Sequence, residues 1–183
     1  MLAALFTFGI FREPVEHPVN QGFHDRNDPI LAAVERSDGF VARSGYDGDP
    51  GPASWGEQVY PDFYVERGDG WSPETLSLWE DLESIAAFSY HGLHAEALRL
   101  GSEWMVTPEW PPYVIWWVAP GHTPDWAEAI DRHRCLHIDG PGRDAFNFST
   151  AFDPDGQAAK VDTVLIAEKA RRNAERLSAS PAP

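Results

Sequence analysis

The chain is poor in cysteine, in positive charge and in long apolar runs. A single cysteine, Cys135, among 183 residues excludes an intrachain disulfide and any zinc site made of cysteines alone. It accords with a reducing, cytoplasmic compartment. Fourteen Lys and Arg stand against 29 Asp and Glu, a formal charge of −15. Phosphate backbones and anionic bilayers are held by clustered Lys and Arg, so neither nucleic acid nor a membrane is an expected partner. The apolar stretch from Met1 to Phe11 falls well short of the ~20 residues that span a bilayer. It also lacks a basic leader and a small-residue cleavage site, and the alternation around Phe6 and Phe8 reads as a buried strand. There is no Gly-rich phosphate loop, no dinucleotide fingerprint, no Gly-x-Ser-x-Gly nucleophile turn and no internal repeat.

What the chain does have is aromatic mass. Eight Trp, ten Phe and five Tyr can fill a core or line an apolar pocket. The length predicts one domain with an appended segment, here a body over residues 1–156 and a C-terminal helix with a disordered tail over 157–183. Strands are expected at the start of the chain, at 40–46, 75–79, 113–118 and 145–152. A helix is expected from about Pro29 to Arg36 with Asp28 as its cap, and a long one over 82–105, where Leu82, Ile85, Ala86, Leu93, Ala97 and Leu100 recur at helical spacing. Another follows Thr123 as N-cap, over 125–137, and a mixed-charge helix covers 158–177. Residues 47–73 form a long aromatic loop carrying Trp55 and Trp71, with a short edge strand near 58–66. This order predicts an α+β fold, a mainly antiparallel sheet with helices on one face. The strands are too apolar to leave the other face in water, and a second subunit is expected to cover it.

The run Ser77-Leu78-Trp79-Glu80-Asp81-Leu82-Glu83, then Phe88-Ser89-Tyr90 with His94 and Glu103-Trp104, resembles an uncharacterised bacterial family (domain of unknown function 3291). The resemblance extends to the dimeric α/β-barrel, antibiotic-biosynthesis-monooxygenase-like superfamily. Ile115 to Pro124 and Asp144 to Phe148 fit the same pattern, so the resemblance spans about residues 3–150. It implies a ferredoxin-like half-barrel that forms a homodimer through its sheet. The superfamily includes cofactor-free monooxygenases, polyketide cyclases, lactone isomerases and haem enzymes. The long 47–73 segment and the chain after residue 157 depart from its usual pattern.

Within the expected long helix, His91 and His94 are spaced i, i+3 and share a side with Ala87, Phe88, Ala95 and Leu98. Desolvation there lowers a histidine pKa and leaves a neutral base. In plant polyketide cyclases of the superfamily a helical His pairs with a Tyr, and the resemblance gives the His role to His94; Tyr90, about 100° round the helix from His91, is a candidate hydrogen-bond donor if it leans the same way. His122, just after the strand at 113–118, is a further candidate on a strand-end loop. Trp79, Phe88, Trp104, Trp116 and Trp117 are the candidate lining of an apolar lumen for a small hydrophobic or aromatic substrate. His133 and His137 have the i, i+4 spacing of a metal pair, but a Glu does not follow the first His and no third ligand is assignable, so a solvated helix face is expected and no metal. Cys135 reads as a core thiol.

The expected function is thus a cofactor-independent, monooxygenase-like enzyme or a cyclase or isomerase. His94, Tyr90, His91 and His122 would do acid–base work on an aromatic or polyketide-like molecule. Two alternatives stand beside it: a haem enzyme of the same fold with a His axial ligand, and a non-catalytic dimer that binds a ligand.

Overall fold

Leu2–Phe8 forms β1, the centre of the sheet. It pairs antiparallel on one side with β3 (Glu74–Trp79) and on the other with β4 (Tyr113–Val118). A short edge strand, β2 (Phe40–Arg43), pairs with β3, giving the order β2-β3-β1-β4. The computed structural model describes residues 1–64 and 72–179. The sheet is antiparallel and the fold α+β, as the sequence predicts.

Side chains alternate across a strand with period two, and the register keeps that alternation in phase across the sheet. Phe6 lies opposite Leu76 and Val114, and Ala4 lies opposite Leu78 and Trp116. These residues, with Phe8 and Val118, make one apolar face. Ala3, Leu5, Trp79 and Ile115 make the other. The chain covers both faces itself. Val34 of α1 (Gln21–Glu35), Leu82 and Ile85 of α2 (Leu82–Ser89), and Phe146 and Ala151 pack on the second face. The first lies under Trp126, Ala129, Ile130 and Leu136 of α4 (Trp126–Asp139) and under Tyr46, Trp55, Tyr60, Phe63 and Tyr64 of the loop that follows β2. Helices on one face and a second subunit on the other are therefore corrected.

Gly45 lets this loop leave the sheet. A Cβ there would overlap the Pro52 carbonyl oxygen, a backbone atom that cannot swing away. Gly45→Ala is expected to push the loop outward and to cost on the order of 2 kcal/mol. A drop in the urea midpoint at unchanged slope would show it, and wild-type stability would contradict it.

Other boundaries move for local reasons. The expected single helix over 82–105 is two: α2 ends at Ser89 and α3 runs Gly92–Trp104. The break is at His91, which is extended, and Gly92, whose φ of 59° is open to glycine at little cost. α1 begins at Gln21, so Pro29 sits inside it and Asp28 is no cap. The first turn of α4 is capped by Asp125, which accepts from Glu128 N at 2.8 Å, so Thr123 is not its N-cap. The expected strand over 145–152 is reduced to three isolated bridges, Ile115 with Phe146, Gly142 with Ala145 and Asn147 with Thr150, and a two-residue pairing of β5 (Ala151–Phe152) with β6 (Ala158–Ala159). Residues 58–64 hold no strand, and the remainder of that expected strand, with Trp71, lies outside the described residues. The last helix, α5 (Thr163–Ser178), packs on α2, where Lys169 donates to Asp81 and Ser84 at 3.0 and 2.8 Å. The end of the expected disordered tail, 180–183, lies outside the described residues. Among the described residues no helix is long and apolar enough to cross a membrane.

Candidate functional site

The alternation that builds the first sheet face puts a carboxylate on it. Glu74 opens β3 in phase with Leu76 and Leu78 and lies directly opposite Phe8. It is 2% exposed, and neither side-chain oxygen has a hydrogen-bond partner among the described residues. An ionised carboxylate cannot be kept so without a large penalty. Burial pushes its pKa up to about 8; the nearby Gln58 amide pulls slightly the other way, without hydrogen-bonding geometry to either oxygen. Glu74 is therefore a mostly neutral carboxylic acid near pH 7.

The loop between β2 and β3 roofs this acid with aromatics. The Tyr46 hydroxyl donates to the Glu74 backbone oxygen at 2.5 Å. Its pKa rises to about 12, through burial first and the adjacent Glu74 second. The ring of Phe8 meets Tyr60 at 6.5 Å, Phe63 at 5.8 Å, Tyr64 at 6.2 Å, Trp110 at 6.2 Å and His133 at 6.4 Å between centroids. His133, from α4, is fully buried. Its Nε2–H donates to the Pro111 carbonyl at 2.5 Å, which leaves Nδ1 as a lone-pair acceptor with no partner among the described residues. Burial lowers its pKa, so it is neutral. Phe8 thus has a neutral acid opposite it on the sheet and a neutral imidazole against its ring, within one aromatic cluster where charge is disfavoured.

The residues singled out from sequence fall into separate places. His94 sits in the first turn of α3, beside the opposite sheet face. Its Nδ1–H donates to Ser89 O at 2.9 Å and its ring lies 4.9 Å from Phe88, which in turn meets Trp79 at 5.6 Å. Burial lowers its pKa, partly offset by that bond. Tyr90 is 47% exposed and lies 3.3 Å from the Tyr113 hydroxyl, with its ring against Phe148. His91 is exposed at the start of α3, with no side-chain capping bond, so the shared helical face expected for His91 and His94 does not form. His122 is exposed and bonds Glu128 at 2.6 Å; the same carboxylate accepts from Trp116 Nε1 at 3.0 Å. Trp117 Nε1 donates to Phe152 O at 2.7 Å. Trp104 packs against Phe23 and under Arg26 on the α1 side. Hence His94, Phe88 and Trp79 come together, while His122 and Trp116 lie across the sheet and Trp104 stands apart. His133 and His137 do share a neighbour, Phe63, at 5.6 and 5.8 Å. No cluster of metal-ligating side chains occurs among the described residues. The Cys135 thiol is held up in pKa by burial and by Asp139.

Glu74 is the residue that reading the sequence misses. The signal is a charge one full alternation before Leu76 and two before Leu78, on the apolar phase, and it is lost when the strand is started at Thr75.

The chain belongs to the family described as Domain of unknown function (DUF3291), whose model matches residues 2–162. The match includes the sheet, the aromatic loop and α4, and stops just before α5. No curated protein and no solved structure matches the chain.

Proposed function

We propose that the chain is a small-molecule enzyme that moves a proton on an aromatic or polyketide-like substrate admitted to the aromatic cluster between the sheet and the loop 46–64. Glu74 is the acid–base group. The observation that carries this is a fully buried carboxyl with both oxygens unpartnered among the described residues, inside an aromatic wall. A carboxyl whose pKa lies near the working pH both takes and gives a proton readily, and burying one without a partner has no structural benefit.

The chemistry follows from the pair of protonation states. Glu74 as carboxylate takes a proton from an activated C–H or O–H of the substrate and becomes the neutral acid its surroundings favour. The electron pair left on the substrate forms an enolate or phenolate. That anion has three outlets: reprotonation by Glu74 at another carbon, attack on a carbonyl of the same molecule, or reduction of O₂. Isomerisation, cyclisation and cofactor-independent, monooxygenase-like oxygenation thus share one first step. In this account the sequence-derived base His94, beside the opposite face of the sheet, is given no step.

The strand order β4-β1-β3-β2, with α1 and α2 on one face, supports a ferredoxin-like half-barrel. The sheet face that would close a homodimeric barrel is roofed by α4 and the loop. We therefore propose a lumen closed within one chain. Three of the imidazoles singled out are already engaged. His133 is packed among Phe6, Phe8 and Phe63 at 5.5, 6.4 and 5.6 Å, His122 is held by Glu128, and His94 lies 4.9 Å from Phe88. No step is assigned to haem. A purely ligand-holding protein would have no use for a carboxyl poised near neutrality.

The test needs no knowledge of the natural substrate. In D₂O, wild-type protein is expected to speed deuterium uptake at the activated carbon of phenylacetone by ~10²-fold or more. Glu74→Gln is expected to lose that rate, while His94→Ala keeps it. Equal rates for wild type and Glu74→Gln would sink the assignment.

A further inference from the structure

We propose that the ring of Phe63 fills a slot built for a phenol, a hydroxylated aromatic ring that displaces it and bonds Trp110 Nε1–H and His133 Nδ1. The slot is part of the aromatic cluster described above, so this choice of ligand class rests on that cluster being where substrate binds.

Phe63 stacks on Trp110, with centroids 4.5 Å apart and planes 25° from parallel. It meets the edges of Phe8, His133 and His137 at 5.8, 5.6 and 5.8 Å. Two polar atoms on rings that touch it are buried and unpaired among the described residues: Trp110 Nε1 and His133 Nδ1. An indole N–H only donates, and His133 has committed its Nε2 proton to the Pro111 carbonyl, so its Nδ1 only accepts. An orphaned donor and an orphaned acceptor beside one ring are costly in a closed core. A phenylalanine can relieve neither. A hydroxyl is the smallest group that accepts one bond while donating another, and an aromatic ring is what stacks on Trp110. The class that satisfies both is a phenol.

Phe63 is suited to leave. It is only half-buried, on a turn closed by Tyr64 N to Pro61 O at 2.9 Å. That turn is held to α4 by an exposed Asp62–Arg134 pair at 3.0 Å, a kind of contact that holds weakly in water.

The experiment compares 4-ethylphenol with ethylbenzene on the full chain, by ¹⁵N–¹H spectra in which Trp110→Phe assigns the Trp110 indole signal. With wild type, 4-ethylphenol is expected to move that indole proton downfield and ethylbenzene is not. Phe63→Ala is expected to bind 4-ethylphenol about tenfold more tightly than wild type, and about tenfold more tightly than it binds ethylbenzene, as one retained hydrogen bond per ligand implies. His133→Phe in that background is expected to shrink the preference, since only the Trp110 bond is left, and His133→Phe with Trp110→Phe to erase it. An unmoved Trp110 indole in wild type overturns the inference, as does equal affinity of Phe63→Ala for the two ligands. Should Phe63→Ala not fold, the wild-type spectra decide alone. Glu74→Gln separates the two claims. Phenol binding that survives in it beside lost deuterium uptake supports both. Lost uptake with no phenol binding to wild type defeats only the ligand class, and phenol binding with Glu74-independent uptake defeats only the proposed function.

Discussion

Glu74→Gln is expected to make the folded chain more stable at pH 7, by about 3 kcal/mol, while it abolishes proton transfer. The folded state holds this carboxyl at about 8 against an ordinary 4.5. At pH 7 the unfolded chain has ionised it and the folded chain has not, so folding must take up a proton against the solvent. The sign follows: with the folded pKa raised, stability is full below pH 4.5 and falls as pH rises to about 8, above which the folded carboxyl ionises and the penalty levels off. A glutamine side chain has the shape of the neutral acid and needs no proton, so the penalty disappears in the variant. The expected result is a higher urea midpoint at pH 7 to 8, little change at pH 4, and a flattened profile between. A variant that gains stability and loses function is the mark of a site held under strain for chemistry. A destabilised Glu74→Gln at pH 7 would mean that the carboxylate has a structural partner.

Asp81→Ala is expected to have the largest opposite effect, a loss of about 3 kcal/mol. Asp81 does two jobs at once. It caps α2, accepting from Ser84 N at 2.7 Å, and it faces Lys169 of α5 at 3.0 Å. The Lys169 side chain is only 7% exposed, so removing the carboxylate leaves a buried ammonium with the neutral Ser84 hydroxyl beside it. Asp81 itself is 35% exposed, and solvent screening there trims the value from the range for a fully buried pair. Lys169→Met, which leaves the cap intact, is expected to cost about half as much. The double variant is expected to cost less than the sum of the two singles, because the stranded charge is gone. Burial alone would raise the Asp81 carboxyl, but the bonds from Ser84 and Lys169 outweigh it and hold its pKa below the ordinary value. Its contribution is therefore present above the unfolded pKa and lost as pH falls below about 4. Strict additivity in urea unfolding would show that α5 and α2 do not communicate through this pair.

The sheet was legible because the alternation around Phe6 and Phe8 marks Leu2–Phe8, and Tyr113–Val118 is a short apolar run bounded by Pro112 and Pro120. The break at His91-Gly92 was not, because helical spacing of apolar residues continues through it and only the φ of 59° at Gly92 marks the turn. Nor was the covering of both faces. A loop of prolines, glycines and aromatics has no periodicity, and whether Tyr46, Tyr60 and Phe63 roof the chain's own sheet or a partner's is a matter of long-range packing. Histidines stand out in a sequence because their free pKa lies near neutrality. The acid that reaches that range here is a glutamate, moved there by burial that becomes visible only once the loop is in place. His133 shows the same limit: its i, i+4 partner His137 suggests a solvated face, and the structure buries one and exposes the other.

The most direct test is the titration of Glu74 itself. A chain labelled with ¹³C at glutamate side-chain carboxyls, with Glu74→Gln to assign the signal, is expected to show one resonance whose midpoint lies near pH 8. A Glu74 signal that titrates at about pH 4 to 5, with the ordinary glutamates, would mean that the carboxyl is ionised and solvated at neutral pH, and the acid–base site proposed here would not exist.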